Sequence, residues 1–383
     1  MDSTDQRLDL LRPFLGDLPA DTFGPTFDAI TRRLDRYVKA LASEIAGALD
    51  LRPGDHPEID ETLRRRSWSV EGRWGLQWLF ETLELFHDAE RIPGGWRLSE
   101  PRSTGTAAEL REAACSLAPE TAPAYDVLRL AAESLPAVLD GSARGEEVLF
   151  GPASLGLWFE YFSNSNPHYA VSNRLVAFGA VRLLPARAAI IEVGGGGGSA
   201  AEAVMGALDR AGRPPGRFLF TEIQRVFLRR GAGRVQAAAP GGCTVESRCF
   251  DVNEDPASLE LPAAGFDAVV AVNTLHLALD VPATLRRLAS LLVPGGALIL
   301  GELVRPAATG AVHIELPFTL LESFRRTPLD ADMRPRPGFM TLAGWREAFR
   351  RAGLGEIAIL PAELERCQEI YPGFYGAALI ATS

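Results

Sequence analysis

The 383-residue chain predicts an α/β fold: a doubly wound, mostly parallel seven-stranded sheet in its second half, preceded by a mostly α-helical N-terminal domain. Three observations carry this expectation. From Ala188 onward, short apolar runs alternate with segments of helical period, as strand–helix–strand units around a buried sheet require. The stretch AAIIEVGGGGGSAAEAV passes from a strand through five glycines into a helix. Before residue 145 the apolar residues recur at three- and four-residue spacing, which belongs to amphipathic helices.

The elements follow in order. Residues 27–49 and 74–86 read as amphipathic helices. RIPGGWRLSE then turns at Pro93-Gly94-Gly95 between two strand-like pieces, so a helix and a small hairpin give a winged-helix-like piece. Nucleic-acid binders of that shape are basic. Here Arg64, Arg65 and Arg66 are the one dense cluster in a chain of net charge −10, so a structural or lid role within a 1–145 lid or substrate domain is expected. Residues 105–145 hold two more helices. Residues 146–187 form a connector containing LWFEYFSNSNPHYAVSN, whose aromatics read equally as packed core or as part of an active-site lid. Strands are expected at 188–193, 217–222, 245–250, 267–272, 297–303, 355–360 and 375–381, with helices near 199–211, 224–237, 282–292 and 342–352. Only PAELERCQEIYPGF separates the last two strands, which suggests a closing antiparallel hairpin without a helix.

Composition narrows the class. The chain is 47% apolar and 23% charged, as in a soluble globular protein. Its acidic balance excludes an ordinary nucleic-acid reader. Cys115, Cys243, Cys249 and Cys367 show no CxxC spacing, against a zinc site or disulfide framework and in keeping with a reducing cytoplasm. No two histidines share a metal-binding spacing. MDSTDQRLDLL lacks a signal-peptide core, and no apolar run is long enough to span a bilayer.

Gly194 to Gly198 let the backbone turn tightly and approach a ligand closely. Gly194, Gly196 and Gly198 are the candidate contacts. Three acids choose among ligands. Glu192, in the strand before the glycines, can meet a positively charged amino-acid group and would be misplaced beside a pyrophosphate. Glu222, ending the second strand, can accept two ribose hydroxyls, and Asp251, after the third, can accept from an adenine amino group. With no basic residue in the loop, this set fits S-adenosyl-L-methionine, and Ile223, Val252 and Asn273 join it as candidate cofactor-binding residues.

In GFDAVVAVNTLHLALDVPATLRRLASLLVPGGALILGELV the fourth strand ends at Asn273-Thr274-Leu275-His276, where open α/β sheets bind ligands. Glu302 ends the fifth. Neighbouring strands place both on one rim, so Glu302 can orient the His276 imidazole and support it as a base. His168 and His313 are further pocket candidates, and His56 and His87 read as surface residues.

Taken in order, EVLFGPAS, the aromatic connector with LPARAAIIEVGGGGG, FTEIQRVFLRRG, CFDVNEDP, FDAVVAVNTLH and LLVPGGALILGEL resemble the C-methyltransferase domain of polyketide synthases over residues 145–383. The helical first half resembles that family's N-terminal lobe more loosely. The resemblance implies a class I, Rossmann-like methyltransferase fold. It implies that His276, helped by Glu302, removes the α-proton of a β-ketoacyl thioester, and that the enolate is methylated on carbon. It implies an acyl carrier protein as partner, for which Arg225, Arg229, Arg230 and Arg234 on one helix, or Arg64 to Arg66, are candidate docking patches. Tyr161, Tyr169, His168, His313 and Phe318 are candidate substrate residues, with Asn273, Tyr161 or Tyr169 as donor to the enolate oxygen. The chain departs from the family in its GGGGGSA loop, where GAGTGGT is usual, in Glu222 for the usual Asp, and in Ser323-Phe324-Arg325 where a tryptophan pair is usual. Beginning with Met and holding no other synthase domain, it reads as a free-standing enzyme acting in trans. Two other readings stay open: an O-methyltransferase of a hydroxyl or carboxyl, and a cofactor-binding scaffold with cyclase-like chemistry.

Overall fold

The computed structural model describes residues 3–19, 22–102, 105–259 and 264–383. It divides into two compact units. One comprises residues 1–25, 162–306 and 327–383, and the other comprises 26–161 and 307–326. The units interleave along the chain: residues 307–326 belong with the N-terminal helices, and the 146–187 connector is shared between the two.

The helical unit holds helices Pro25–Ala48, Ile59–Arg66, Arg73–Leu85, Ala107–Leu117 and Ala122–Leu139. Their ends are set by local chemistry. Glu58 accepts the Asp60 and Glu61 N–H groups at the start of the second, and Thr106 with Glu109 forms a reciprocal capping box at the start of the fourth. The expected hairpin is present as β1 (Ala89–Ile92) and β2 (Gly95–Leu98), turning at Gly94 with φ +84°. Within this unit the aromatic part of the connector is packed: Trp158 stacks on Phe150 at 4.8 Å, meets Tyr161 edge-on at 5.7 Å and lies 5.9 Å from Phe318.

The α/β unit carries the remaining strands: β3 (Ala189–Val193), β4 (Arg217–Thr221), β5 (Thr244–Arg248), β6 (Phe266–Val272), β7 (Leu292–Leu303), β8 (Ala358–Leu360) and β9 (Gly376–Thr382). They form one seven-stranded sheet ordered β5-β4-β3-β6-β7-β9-β8. The first five are mutually parallel, and β9 is antiparallel to both β7 and β8. The central strands β3, β4 and β6 are almost wholly buried, which is why they read as continuous apolar runs. The strand order reverses between β3 and β6, and the carboxyl ends flanking that point are where doubly wound sheets bind ligands.

One connection differs from expectation. A short helix, Leu364–Ile370, stands between β8 and β9. It buries Leu364, Cys367 and Gln368, one face at i, i+3, i+4. Two turns between Pro361 and Pro372 are too few for the period to show in sequence. None of the described helices is long and apolar enough to cross a membrane.

Candidate active site

The glycine loop joins β3 to helix Ser199–Arg210. Gly194, Gly196 and Gly198 have φ values of +65°, +52° and +80°, a region costly for residues with a Cβ. Gly195 is needed for space: a Cβ there would fall on the Phe220 ring and come within 2.8 Å of Glu192 Oε2. The side chains of Glu222 and Thr274 brace the loop. Glu222 Oε2 accepts the Gly196 N–H at 2.9 Å, Glu222 Oε1 accepts the Gln224 N–H at 2.7 Å, and Thr274 Oγ1 donates to Gly194 O at 3.1 Å.

Glu192 is 1% exposed, and among the described residues neither carboxylate oxygen has a donor in full hydrogen-bond geometry. Burial pushes its pKa up to about 8, against the pull of the Ala201 N–H, and the Glu222 charge adds to the rise. Burial also raises the pKa of Glu222, against the Gln224, Gly196 and Ile223 amides that favour its charged form. Asp251 is half-buried, with Oδ1 holding the Asn253 N–H at 2.9 Å. Val252 is half-buried and Ile223 is 48% exposed.

Asn273 directly follows β6 in the left-handed region, φ +50°, with its N–H on Gly301 O at 2.7 Å. Its Oδ1 is buried and has no hydrogen-bond partner among the described residues. The Tyr169 hydroxyl hydrogen-bonds the side chains of Asn273 and Ser199. Burial, with the Glu192 charge next and Glu302 also contributing, drives the Tyr169 pKa upward, so it remains a protonated donor. Helix Pro167–Leu183, which carries Tyr169, is pinned to the loop by amides: Asn173 Nδ2 donates to Asn164 Oδ1 and Ser199 Oγ, and Asn164 Nδ2 donates to Ser199 O and Glu202 Oε2. The amide density of SNSNPHYAVSN thus has a positioning purpose.

His276 lies in a one-turn 3₁₀ helix, Leu275–Leu277, directly past β6. Because β6 and β7 pair in parallel with Val272 opposite Gly301, Glu302 reaches this turn. Glu302 is 0% exposed, and its Oε2 meets His276 Nδ1 at 2.8 Å. Its Oε1 accepts the backbone N–H groups of Leu275 at 3.0 Å and His276 at 3.4 Å. An ionised carboxylate only accepts, so it selects the Nδ1–H tautomer and leaves Nε2 as the basic nitrogen. The Phe339 ring lies 4.7 Å from the imidazole.

The α/β unit therefore assembles His276, Glu302, Glu192, Gly194, Gly196, Gly198, Glu222, Ile223, Asp251, Val252, Asn273 and Tyr169. His168 belongs to the same unit, its N–H capped by Asn166 Oδ1. Tyr161, His313 and Phe318 belong to the helical unit. There His313 is buried, its Nδ1 is 2.9 Å from Asp35 Oδ1 and its ring stacks on Phe86. Of the basic patches, Arg66 is committed to the carbonyls of Leu49 and Asp50 and to the Trp68 face. His56 and His87 are exposed. Ser199, Asn164 and Phe339 were not legible as site residues, and Thr274 was legible only as part of the rim and not as a brace of the glycine loop, since each acts through a contact distant in sequence.

Residues 191–298 match the profile of a methyltransferase domain. Polyketide synthase ThaQ of Burkholderia thailandensis is 30% identical over 75% of this chain, and polyketide synthase ThaG of the same organism is 26% identical over 87%. The chain spans 14% and 6% of the length of these relatives. Among solved structures, the CurJ carbon methyltransferase aligns with a TM-score of 0.73 and 19% identity, over 99% of this chain and 97% of its own. The CMeT domain of the citrinin polyketide synthase gives 0.75 and 17%, over 100% and 98%. The trans-methyltransferase CalH, solved in complex with SAH, gives 0.63 and 19%, over 92% and 89%. The chain carries a methyltransferase domain on the fold shared by these proteins.

Proposed function

We propose that this chain is an S-adenosyl-L-methionine-dependent C-methyltransferase that methylates the α-carbon of a β-ketoacyl thioester borne by a carrier protein, in polyketide or related biosynthesis. The observation that carries the reading is the buried His276–Glu302 pair at the rim of the strand-order switch, beside the glycine loop. The methyltransferase profile and the matching fold support the cofactor, and likeness to carbon methyltransferases supports methylation on carbon.

The residues fit that cofactor. A buried carboxylate at Glu192 without a well-formed hydrogen bond, an Asn273 Oδ1 with no partner among the described residues, and a loop with no room for a Cβ at Gly194 or Gly195 suit a compact ligand carrying positive charge. Glu192 would face its ammonium and Glu222 its ribose hydroxyls. Asp251 and Val252 would face its adenine, with the exposed apolar Ile223 alongside. When bound, the cofactor supplies an electrophilic methyl on a sulfonium. His276 Nε2 takes the α-proton, made acidic by two flanking carbonyls, and Glu302 holds the ring and stabilises the imidazolium. Tyr169, kept protonated and oriented by Asn273 and Ser199, donates to the enolate oxygen. Exclusion of water by the buried dyad and alignment of the nucleophilic carbon complete the contribution of the protein.

Incubation with methyl-deuterated S-adenosylmethionine and acetoacetyl carrier protein tests the reading. One labelled methyl on the α-carbon, located by NMR and fragment mass, is expected. A label on oxygen favours the O-methyltransferase alternative. Helix Arg225–Ala238 contains four arginines and no acid, and Arg225 and Arg229 are exposed. Carrier proteins are acidic, so Arg225→Glu with Arg229→Glu is expected to raise KM for the carrier-bound substrate roughly tenfold at low salt. KM for a free pantetheine thioester should not change. Equal effects on both substrates would refute docking there.

A further inference from the structure

We propose that Arg334 is a positioning residue for the base: its guanidinium closes the carboxyl end of the His276 turn as the Glu302 carboxylate closes its amino end. The inference rests on the reading of His276 as the base.

A single 3₁₀ turn is held by few bonds of its own. Leu277 N–H donates to Thr274 O and Ala278 N–H to Leu275 O, both at 3.0 Å. The N–H groups entering the turn and the carbonyls leaving it need outside partners. Glu302 Oε1 supplies the first set, on Leu275 and His276. Arg334 supplies the second. Its Nη1 donates to His276 O at 3.1 Å and to Ala278 O at 2.9 Å, and its Nη2 reaches Leu279 O at 3.4 Å. Its Nε donates to Pro328 O at 2.9 Å, which ties the turn to the 327–341 segment. That segment also brings Phe339 to the imidazole, and it is anchored to helix Leu342–Ala352 through Asp330 and Arg351 at 2.6 Å.

Arg334 is 1% exposed, its hydrogen bonds go to carbonyls, and the Asp330 and Asp280 charges act on it from beyond ion-pair distance, opposing the lowering of its pKa by burial. A buried cation whose hydrogen bonds all go to carbonyls is expensive unless its charge and its fork of donors both serve. Here a cation stands at the carboxyl end of a turn whose amino end holds an anion, the arrangement that complements the turn's own dipole. The two buried charges bracket the residue that carries the base. Lysine has the charge but lacks the planar fork that reaches the His276, Ala278 and Leu279 carbonyls and the Pro328 carbonyl together.

The test compares the full chain with Arg334→Lys, Arg334→Gln, His276→Ala and the double variant His276→Ala/Arg334→Gln. The readouts are melting temperature, calorimetric affinity for S-adenosylhomocysteine, backbone amide exchange, and wash-out of the α-deuterium of acetoacetyl-N-acetylcysteamine without cofactor. Arg334→Gln is expected to lower kcat and enzyme-dependent wash-out by about 10²-fold, the scale of a small misplacement of a reacting group. KM and S-adenosylhomocysteine affinity should stay within about threefold, and the Leu277 and Ala278 amides should exchange faster. Arg334→Lys should fall between, and Arg334→Gln should add nothing to His276→Ala. Folded variants that keep wild-type turnover, or an equal further loss in the His276→Ala background, overturn the proposal. If Arg334→Gln does not fold, Arg334→Lys decides by the same measures. If His276→Ala itself retains wash-out, the base reading fails, while unchanged exchange at Leu277 and Ala278 in the Arg334 variants would separately show that Arg334 does not hold the turn.

Discussion

His276→Ala is expected to lose turnover by about 10²–10⁴-fold, the usual range for removal of a general base, while S-adenosylmethionine affinity stays within a few-fold. Single-turnover rates and calorimetry check both halves. The more discriminating variant is Glu302→Gln. Glutamine keeps the side-chain volume, and its carbonyl oxygen can still accept from the Leu275 and His276 amides. Its NH₂ group, however, then faces His276 Nδ1, where Glu302 Oε2 stands at 2.8 Å. Two donors cannot share that contact, so the imidazole must move its proton to Nε2 and accept at Nδ1. The basic nitrogen is then turned away from the substrate. An imidazole held in the wrong tautomer has cost catalysis up to about 10⁴ in an analogous triad, and a loss of 10²–10⁴ is expected here with little change in stability. A Glu302→Gln variant with near-normal turnover would remove Glu302 from the mechanism, and His276→Ala with near-normal turnover would remove the base itself.

Much of the α/β unit was legible in the sequence, because a buried parallel sheet writes itself as apolar runs separated by helices. β3, β4, β6 and β9 fall within a residue or so of the expected runs. The acids Glu192, Glu222 and Glu302 stand at or next to the carboxyl ends of β3, β4 and β7, since a strand end is where a charge in such a sheet can face a ligand. His276 and Glu302 were legible together for the same reason: parallel neighbours end on one rim. What was not legible depends on irregular backbone. Arg334 and Phe339 sit on a segment with no period, so nothing in their spacing marks them as neighbours of residue 276. His313 reads as a lone histidine, and its Asp35 partner sits in a helix far away in sequence. The connector shows its aromatics plainly, but whether they fill a core is settled by packing: Trp158 and Tyr161 do so within the helical unit. The amides that follow them instead hold the glycine loop.

Without cofactor, the protein is expected to lose stability as pH rises between about 5 and 8, and Glu192 is the cause. Its carboxyl is raised from 4.5 to about 8, first by burial and then by the Glu222 charge. In that interval the folded chain holds a proton that the unfolded chain has released. Stability then falls with pH, by about 1.4 kcal/mol per unit where the two states differ by one full proton. Below the unfolded value both states are protonated and the effect vanishes, and above about 8 the full penalty of a buried, unpartnered charge is in place. Glu222, also raised by burial, acts in the same direction, so the test must isolate Glu192. Glu192→Gln cannot ionise. It should melt higher than the wild type at pH 8.5, match it closely near pH 5, and show a flatter curve between. The cofactor reverses the sign. A cationic ligand favours the ionised carboxylate, so binding near pH 7 should release a proton, and the rise in melting temperature on adding S-adenosylmethionine should be larger at pH 8.5 than at pH 6. In Glu192→Gln that pH dependence should shrink and the affinity should fall. The stability that Glu192 takes from the empty protein is therefore returned on binding, so its unsatisfied burial makes it selective for a positively charged ligand. Melting curves that are flat with pH in the wild type and superimpose on those of Glu192→Gln would show that Glu192 is already charged and partnered in the empty protein, and the cofactor assignment would then lose its strongest physical support.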